Sequence, residues 1–197
     1  MTRQGQVKMP RKTSTRQSKS AQDSQLPPNL DATHVVALIS IQPYQVIGNI
    51  GCGAGQFAVA LAKQVFDGRV YALDSRLSMV DSAEQAIEGV HLSNVEAKKM
   101  RGTKLPLDDD SLDGVFVGLE LHKAKDLKAL LRDALRCLHK SGWLAVLGWK
   151  ESGTSGGPPA DERIGESELR DLALDVGFRF TSRHFPTPDL FMLLVRK

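Results

Sequence analysis

The amino-acid sequence predicts an α/β protein in which helices flank a mostly parallel β-sheet. From Leu30 onward, short apolar runs rich in β-branched residues alternate with stretches of helical period. The last two apolar runs are separated only by residues 186–189, and a parallel crossover needs about a dozen residues, so we expect these two strands to be antiparallel. A length of 197 residues is enough for one ordinary domain.

The element boundaries follow from apolar periodicity and from turn residues. Spacings of three and four residues predict five helices, and the runs between them predict seven strands. The strands cover 46–50, 69–73, 95–98, 112–118, 143–147, 178–185 and 190–195. The first predicted helix is capped by Asp31, carries Val35, Leu38 and Ile39, and stops at Pro43. The second has Phe57, Leu61 and Val65 on one face and is closed by Gly68.

The third predicted helix opens with a capping box of Ser78 and Asp81; Met79, Ala83 and Ile87 face inward, and Gly89 follows it. The fourth starts at Asp126 and ends at Ser141 and Gly142, with a stripe of Leu127, Leu130, Leu131, Ala134, Leu135 and Leu138. The fifth carries Leu169, Leu172 and Val176 and ends at Gly177.

The net charge of +3 conceals an uneven distribution along the chain. Residues 1–28 hold six basic residues and one acid, which leaves 20 basic against 22 acidic residues for the rest. This segment is rich in Ser, Thr, Gln and Lys and poor in apolar residues, so we expect a disordered basic tail at 1–28 and one folded domain at 29–197. A basic arm could contact nucleic acid, but this one lacks an aromatic residue for base stacking, and we expect a solvated tail without a partner.

Composition excludes several classes of protein. With 41% hydrophobic and 25% charged residues, the chain is close to the globular average. It has no apolar run of the ~20 residues that a membrane span needs, and because its first residues carry charge without an apolar stretch we expect no signal peptide. Two cysteines are too few for a zinc cluster and fit a reducing compartment, so we expect a cytoplasmic protein without a metal site.

A glycine cluster, GCGAG at 51–55, follows the first predicted strand directly and leads into a helix. Such a turn lets the backbone approach a ligand and directs helix N–H groups at it. Asp74 follows the second strand about twenty residues on, where a carboxylate can accept hydrogen bonds from ribose hydroxyls. The dinucleotide fingerprint would need Gly or Ala where Gln56 stands, so a nicotinamide or flavin dinucleotide is disfavoured and another adenosine-bearing ligand is favoured.

Several segments together resemble the small class I S-adenosylmethionine-dependent methyltransferases of the UbiE-like group. The resemblance covers about residues 29–197 and implies a doubly wound, Rossmann-like, seven-stranded sheet whose last strand is antiparallel. It implies S-adenosyl-L-methionine as the cofactor. The segments that carry it are VIGNIGCGAGQF (46–57), VYALDSRLSMVDSA (70–83), LPLDDDSLDGVFVG (105–118), ALRCLHKSGWLAVLGWK (134–150) and GPPADERI (157–164).

The resemblance also implies which residues bind the cofactor, with two departures from the family's pattern. Relatives usually have an acid at position 49, where this chain has Asn49, and an amide lacks the charge that would attract the amino group of the cofactor. Relatives often have an acid near the adenine amino group, where this chain has Arg101 followed by Gly102. The implied cofactor site consists of Asn49, Gly51, Cys52, Gly53, Gly55, Asp74, Ser75, Arg76, Met79, Arg101 and Gly102, with Cys52 as a small packing residue.

The sequence does not identify a catalytic base or the methyl acceptor. Glu120 and His122 after the fourth strand and Trp149 after the fifth are the candidates at the carboxyl edge of the sheet, where ligands bind in open α/β folds. Because few residues remain for a recognition domain, we expect a small-molecule acceptor. Two alternatives stay open: a cofactor-binding protein with little or no turnover, which Asn49 and Arg101 favour, and an RNA-directed methyltransferase that uses the basic tail.

Overall fold

The computed structural model describes residues 26–153 and 156–197 and contains one seven-stranded sheet in the order β3-β2-β1-β4-β5-β7-β6. Strands β1 to β5 pair in parallel, and β7 is antiparallel to both of its neighbours, as expected from the short final connection. The strands are β1 (Val46–Ile50), β2 (Arg69–Asp74), β3 (Val95–Lys99), β4 (Leu112–Val117), β5 (Leu138–Trp149), β6 (Arg179–His184) and β7 (Leu190–Arg196).

Two helical layers cover the sheet. Strand residues alternate between the two apolar cores, so that Phe116 belongs to one core and its neighbours Val115 and Val117 to the other. The helices are α1 (Ala32–Ala37), α2 (Gln56–Gln64), α3 (Leu77–Gly89), α4 (Leu127–Cys137) and α5 (Glu166–Val176). Helices α1 and α2 contribute to the first core, and α4 and α5 to the second. The predicted doubly wound α/β class is confirmed.

The register places the ends of three strands side by side. Ile50 of β1 pairs with Leu73 of β2 on one side and with Val117 of β4 on the other. The chain leaves β1 toward β2 and β3 and later returns to β4 on the other side of β1, so the strand order reverses between β1 and β4. Ligands of open α/β sheets bind at this reversal, beyond the carboxyl ends of the strands.

The predicted end of the fourth helix was wrong. Asp126 caps α4 as expected, since its carboxylate accepts a hydrogen bond from Ala129 N at 2.9 Å. The helix nevertheless ends at Cys137, because backbone amides of the acidic turn take its last carbonyl groups: Ser111 N donates to Cys137 O at 2.8 Å. Leu138, predicted as part of the helical stripe, instead pairs with Leu112 as the first residue of β5.

The predicted capping box of the third helix was also wrong. Helix α3 begins at Leu77 with Arg76 as its N-cap, so Ser78 already lies inside the helix. The turn forms earlier than expected because the Asp74 carboxylate accepts a hydrogen bond from Arg76 N at 2.9 Å. The Ser78 carbonyl oxygen, meanwhile, accepts a hydrogen bond from the Ser82 hydroxyl.

Three further helix ends differ from the prediction. Helix α3 includes Gly89, which was expected to follow it, and Val90 is its C-cap. Helix α1 ends at Ala37, so that Leu38 is its C-cap and Ile39 follows it. Helix α2 ends at Gln64, and Gly68 does not close it. Gly68 is required for a different reason, since a Cβ there would lie 2.1 Å from Gln45 O.

Among the described residues, no helix is long and apolar enough to cross a membrane. The predicted tail covers residues 1–28. Residues 1–25 lie outside the described part of the chain, whereas residues 26–28 are described. Leu26 packs against the first core, and Pro27 and Pro28 border a cavity described below.

Candidate active site

The glycine cluster forms a tight bend between β1 and α2. Gly51, Gly53 and Gly55 all have positive φ, at 66°, 53° and 87°, a region that L side chains adopt only with strain. The space is also restricted, since a Cβ on Gly51 would lie 3.0 Å from the Glu120 Cβ. The bend therefore requires glycine at these three positions.

The bend is bonded to Asp74 at the end of β2. Gly53 N donates to Asp74 Oδ2 at 3.3 Å, and the carboxylate side chain is 4% exposed. The two features that the sequence singled out as a ligand site are thus adjacent in the fold.

A cavity of about 460 Å³, here called the Asp74 cavity, opens beside this carboxylate. Of the predicted cofactor residues, Gly51, Asp74, Ser75, Arg76 and Gly102 line it. Met79 is buried on α3 and does not line it, and neither does Arg101, whose backbone forms a tight turn with Lys104.

A second cavity of about 590 Å³, here called the Trp149 cavity, also borders Gly51. The predicted catalytic candidates Glu120, His122 and Trp149 all border it. The two cavities share Gly51, Glu120 and Lys123 in their walls. The apolar part of the Trp149 cavity consists of Leu26, Pro27, Pro28, Phe57, Leu119, Trp149, Pro158 and Pro159.

A loop that Arg163 holds forms one wall of the Trp149 cavity. The Arg163 guanidinium donates hydrogen bonds to the carbonyl oxygens of Lys150, Gly153, Gly156 and Pro158 at 2.6 to 2.9 Å. It also lies 5.6 Å from the centre of the Trp149 ring. Within this loop, Gly157 has a φ of 81° and lies so close to the ring that a Cβ would be 2.5 Å from it.

The protonation state of His122 is set by its surroundings. Its Nδ1 lies 3.0 Å from Leu119 O, and because a carbonyl oxygen can only accept, Nδ1 carries the proton of the neutral ring. Burial of the ring, followed by the positive charge of Lys123, lowers the pKa of His122 below its ordinary value. At neutral pH the ring is therefore uncharged, with Nε2 free of a proton.

Glu120 belongs to an ion-pair network. Its Oε2 accepts from Arg76 Nη2 at 2.9 Å and from Lys123 Nζ at 2.7 Å. The same guanidinium donates to both carboxylate oxygens of Asp74, from Nε at 3.2 Å and from Nη2 at 3.4 Å. Both cations occupy Oε2 of Glu120, whereas Nε2 of His122 is unprotonated in the tautomer assigned above, so His122 is the better candidate for a base.

Asn49 lies fully buried at the end of β1, two residues before the bend. Its Nδ2 donates to Phe116 O at 3.4 Å, whereas its Oδ1 is buried without a hydrogen-bond partner among the described residues. An unpaired buried acceptor costs folding free energy, about 1–3 kcal/mol. Asn49 lines neither of the two cavities.

Cys52 is buried inside the bend and borders the Trp149 cavity. Burial and the nearby negative charge of Asp74 raise the pKa of its thiol to about 12. The thiol therefore stays protonated, which fits the expected packing role rather than that of a nucleophile. Within 26–153 and 156–197, there is no group of three or more His, Cys, Asp or Glu residues that could hold a metal ion.

The sequence did not reveal three contributions to the site. Arg163 lies in a segment without helical or strand period, and only the contacts of its side chain show its role. Leu26 to Pro28 fall in the predicted tail, although the change from polar residues to Leu-Pro-Pro is a signal that the body begins there. The interaction of Arg76 with both carboxylates depends on the fold, because Glu120 is 44 residues away in sequence.

The comparisons with known proteins agree on one family. Residues 49–146 match a family model described as a methyltransferase domain. A demethylmenaquinone methyltransferase from Lactobacillus johnsonii is 35% identical over 98 residues, which cover 49% of this chain and 40% of that protein. The chain thus spans about half the length of the curated relatives it matches.

Solved structures extend the agreement over most of the chain. A SAM-dependent methyltransferase from Aquifex aeolicus superimposes with a TM-score of 0.84 at 26% identity, over 91% of this chain and 97% of that one. A (4+2) cyclase, SpnF, has the same fold with a TM-score of 0.73 over 84% of this chain and 80% of its own, but only 16% identity. That fold therefore carries more than one activity. The domain match, the sheet order and the bend bonded to Asp74 together show that the chain belongs to the class I S-adenosylmethionine-dependent methyltransferases, whose cofactor is S-adenosyl-L-methionine.

Proposed function

We propose that this protein transfers a methyl group from S-adenosyl-L-methionine to a small-molecule acceptor bound in the Trp149 cavity. The observation that carries the proposal is the common wall of the two cavities at Gly51, Glu120 and Lys123. A cofactor in one cavity and an acceptor in the other would meet at this wall, as an in-line displacement requires.

The residues of the Asp74 cavity fit the cofactor. Asp74 would accept hydrogen bonds from the ribose hydroxyls, and the methionine part would extend over Gly51, which both cavities share, onto the bend at 51–55. The unpaired Oδ1 of Asn49 lacks a donor, and the amino group of the cofactor would supply one on reaching the buried end of β1. When bound, the cofactor supplies a methyl group on a positively charged sulfur, a reactive electrophile that becomes a neutral thioether on transfer.

The Trp149 cavity fits a flat, largely apolar acceptor that carries a hydroxyl group. Its walls combine the Trp149 ring and several proline rings with the neutral imidazole of His122, and Glu120, Lys123 and Glu162 add charged groups. Nε2 of His122 would take the hydroxyl proton, which raises the electron density of the acceptor as it attacks the methyl group. The relatives named demethylmenaquinone methyltransferase support an acceptor of the quinone type.

Methyl transfer is tested with cofactor that carries a tritiated methyl group. We expect the label to enter the organic phase of a cell lipid extract, and a hydroxylated naphthoquinone to serve as a defined acceptor. His122→Gln should reduce the rate at least tenfold without changing cofactor affinity, because only the proton acceptor is removed. Full activity of this variant would exclude His122 as the base, and label in no acceptor at all would exclude methyl transfer.

A second candidate, a cofactor-binding protein with little or no turnover, is favoured by two observations. Asn49 supplies no charge to the amino group of the cofactor, and the carboxylate of Asp74 is bonded to Arg76. Cofactor binding by calorimetry together with no label transfer would support this candidate. The RNA-directed alternative stays a prediction, and a salt series of RNA binding with and without residues 1–28 tests it.

A further inference from the structure

The hydrogen-bonding capacity of the Asp74 carboxylate is already filled by the protein itself. An ionised carboxylate offers about four acceptor positions on its two oxygens. Oδ1 accepts from Arg76 N at 2.9 Å and from Arg76 Nε at 3.2 Å, and Oδ2 accepts from Gly53 N at 3.3 Å and from Arg76 Nη2 at 3.4 Å. Two of these four bonds come from the guanidinium, and the other two come from the backbone.

The guanidinium also reaches across the cavity to a second anion. Arg76 Nη2 donates to Glu120 Oε2 at 2.9 Å, and both Arg76 and Glu120 line the Asp74 cavity. The side chain thus connects the end of β2 to the segment that follows β4. The hydrogen bonds and charges of Asp74 and Glu120 outweigh the effect of burial and raise the pKa of Arg76 above its ordinary value.

We propose that Arg76 is a latch that competes with the cofactor for Asp74, so that its side chain must leave both carboxylates before a nucleoside can bind. This inference rests on the proposed role of Asp74 as the ribose acceptor. The backbone bonds from Gly53 and Arg76 hold the carboxylate in place when the guanidinium leaves, and ribose hydroxyls replace the two lost donors. Glu120 keeps Lys123 as its partner, so neither carboxylate is left unpaired.

The latch makes Arg76 a residue that sets the affinity of the cavity. Every nucleoside must break the same three side-chain hydrogen bonds from a charged donor, two to Asp74 and one to Glu120, so each binds more weakly than it would to a free Asp74 carboxylate.

The test measures adenosine binding by calorimetry in the full-length protein. Adenosine is neutral and lacks the methionine part, so its binding is independent of Asn49 and of the acceptor cavity. Arg76→Ala removes the latch but keeps the backbone bond to Asp74, and we expect it to bind adenosine about tenfold more tightly, or ~1.4 kcal/mol. Glu120→Gln loosens only one end of the latch, and we expect a smaller gain in the same direction.

A matched control is Arg69→Ala. Arg69 begins the strand that Asp74 ends, pairs with Glu96 at 3.5 Å, and carries the same charge. This variant should bind adenosine as the original protein does. Thermal unfolding of all variants verifies that the folded state is retained.

Salt dependence gives a second readout that a purely structural role of Arg76 would not produce. Because adenosine carries no charge, salt acts on its binding mainly through the ion pairs that the ligand must break. Raising the ionic strength should therefore strengthen adenosine binding to the original protein and leave binding to Arg76→Ala unchanged.

An Arg76→Ala affinity that is unchanged or weaker than that of the original protein overturns the proposal, and so does a complete lack of adenosine binding by both. The result is independent of methyl transfer. A protein without turnover still shows the tenfold gain if the latch exists, and an active enzyme without the gain has no latch.

Discussion

Removing Arg163 should free the loop that closes the Trp149 cavity and leave the rest of the fold intact. Its guanidinium makes four hydrogen bonds to carbonyl oxygens between Lys150 and Pro158 and lies over Trp149. The side chain is partly buried, and the carbonyl groups can bind water once it is gone. We therefore assign each hydrogen bond somewhat under 1 kcal/mol, so that the four together stabilise the closed loop by about 3 kcal/mol relative to the locally opened loop.

Hydrogen exchange of individual amides measures this loss directly. In Arg163→Ala, about 3 kcal/mol corresponds to a roughly hundredfold increase in local opening. We expect the increase at Gly153 N, which donates to Lys150 O within the loop, and at Glu162 N, which donates to Pro159 O. Lys150 N should change little, because it bonds Asp189 O outside the loop. Protection at Gly153 that stays within a factor of three would refute the role of Arg163.

Three other substitutions test separate parts of the site. Gly157→Ala should lower the free energy of unfolding by about 1–2 kcal/mol, because alanine is strained at the positive φ of this position. Its Cβ should also displace the Trp149 ring, which would shift the wavelength of tryptophan emission. An unchanged spectrum and melting temperature would contradict this. The pH profile of kcat/KM should fall on the acid side with an inflection below about 6.5, because burial and Lys123 lower the pKa of His122 and only its neutral form accepts a proton; His122→Gln should lack this inflection. Asn49→Leu removes an unpaired buried oxygen and one long hydrogen bond to Phe116, so urea unfolding should show equal or greater stability while cofactor affinity falls; lower stability with unchanged affinity would disprove the assigned role.

The fold could be predicted because its signals are local. The strands from Val46 and from Leu112 are short apolar runs between turn residues, and the final pair follows from a connection too short for a crossover. The error at Leu138 arose because a buried leucine continues a helical stripe as well as it begins a buried strand. Backbone amides from the turn at 108–111 decided between the two, and that contact is not visible in the sequence.

The candidate site was predictable only where it depends on strand ends. The glycine bend and Asp74 stand at the ends of β1 and β2, and parallel pairing brings such ends together. Side chains that act over long sequence distances could not be found in this way. Arg76 bonds to Glu120, which follows a different strand of the sheet. Arg163 holds a loop through hydrogen bonds to backbone carbonyl groups, and such bonds do not depend on which residues supply the carbonyls.

Calorimetric titration of S-adenosyl-L-methionine into the original protein, Asp74→Ala and the control Asp67→Ala tests the central claim most directly. Asp67 is exposed and precedes the start of β2, so this control removes the same charge at the opposite edge of the sheet. We predict that the original protein and Asp67→Ala bind with equal affinity and that Asp74→Ala binds at least tenfold more weakly. An original protein that does not bind at millimolar cofactor, or an Asp74→Ala variant that binds equally well, would contradict the account.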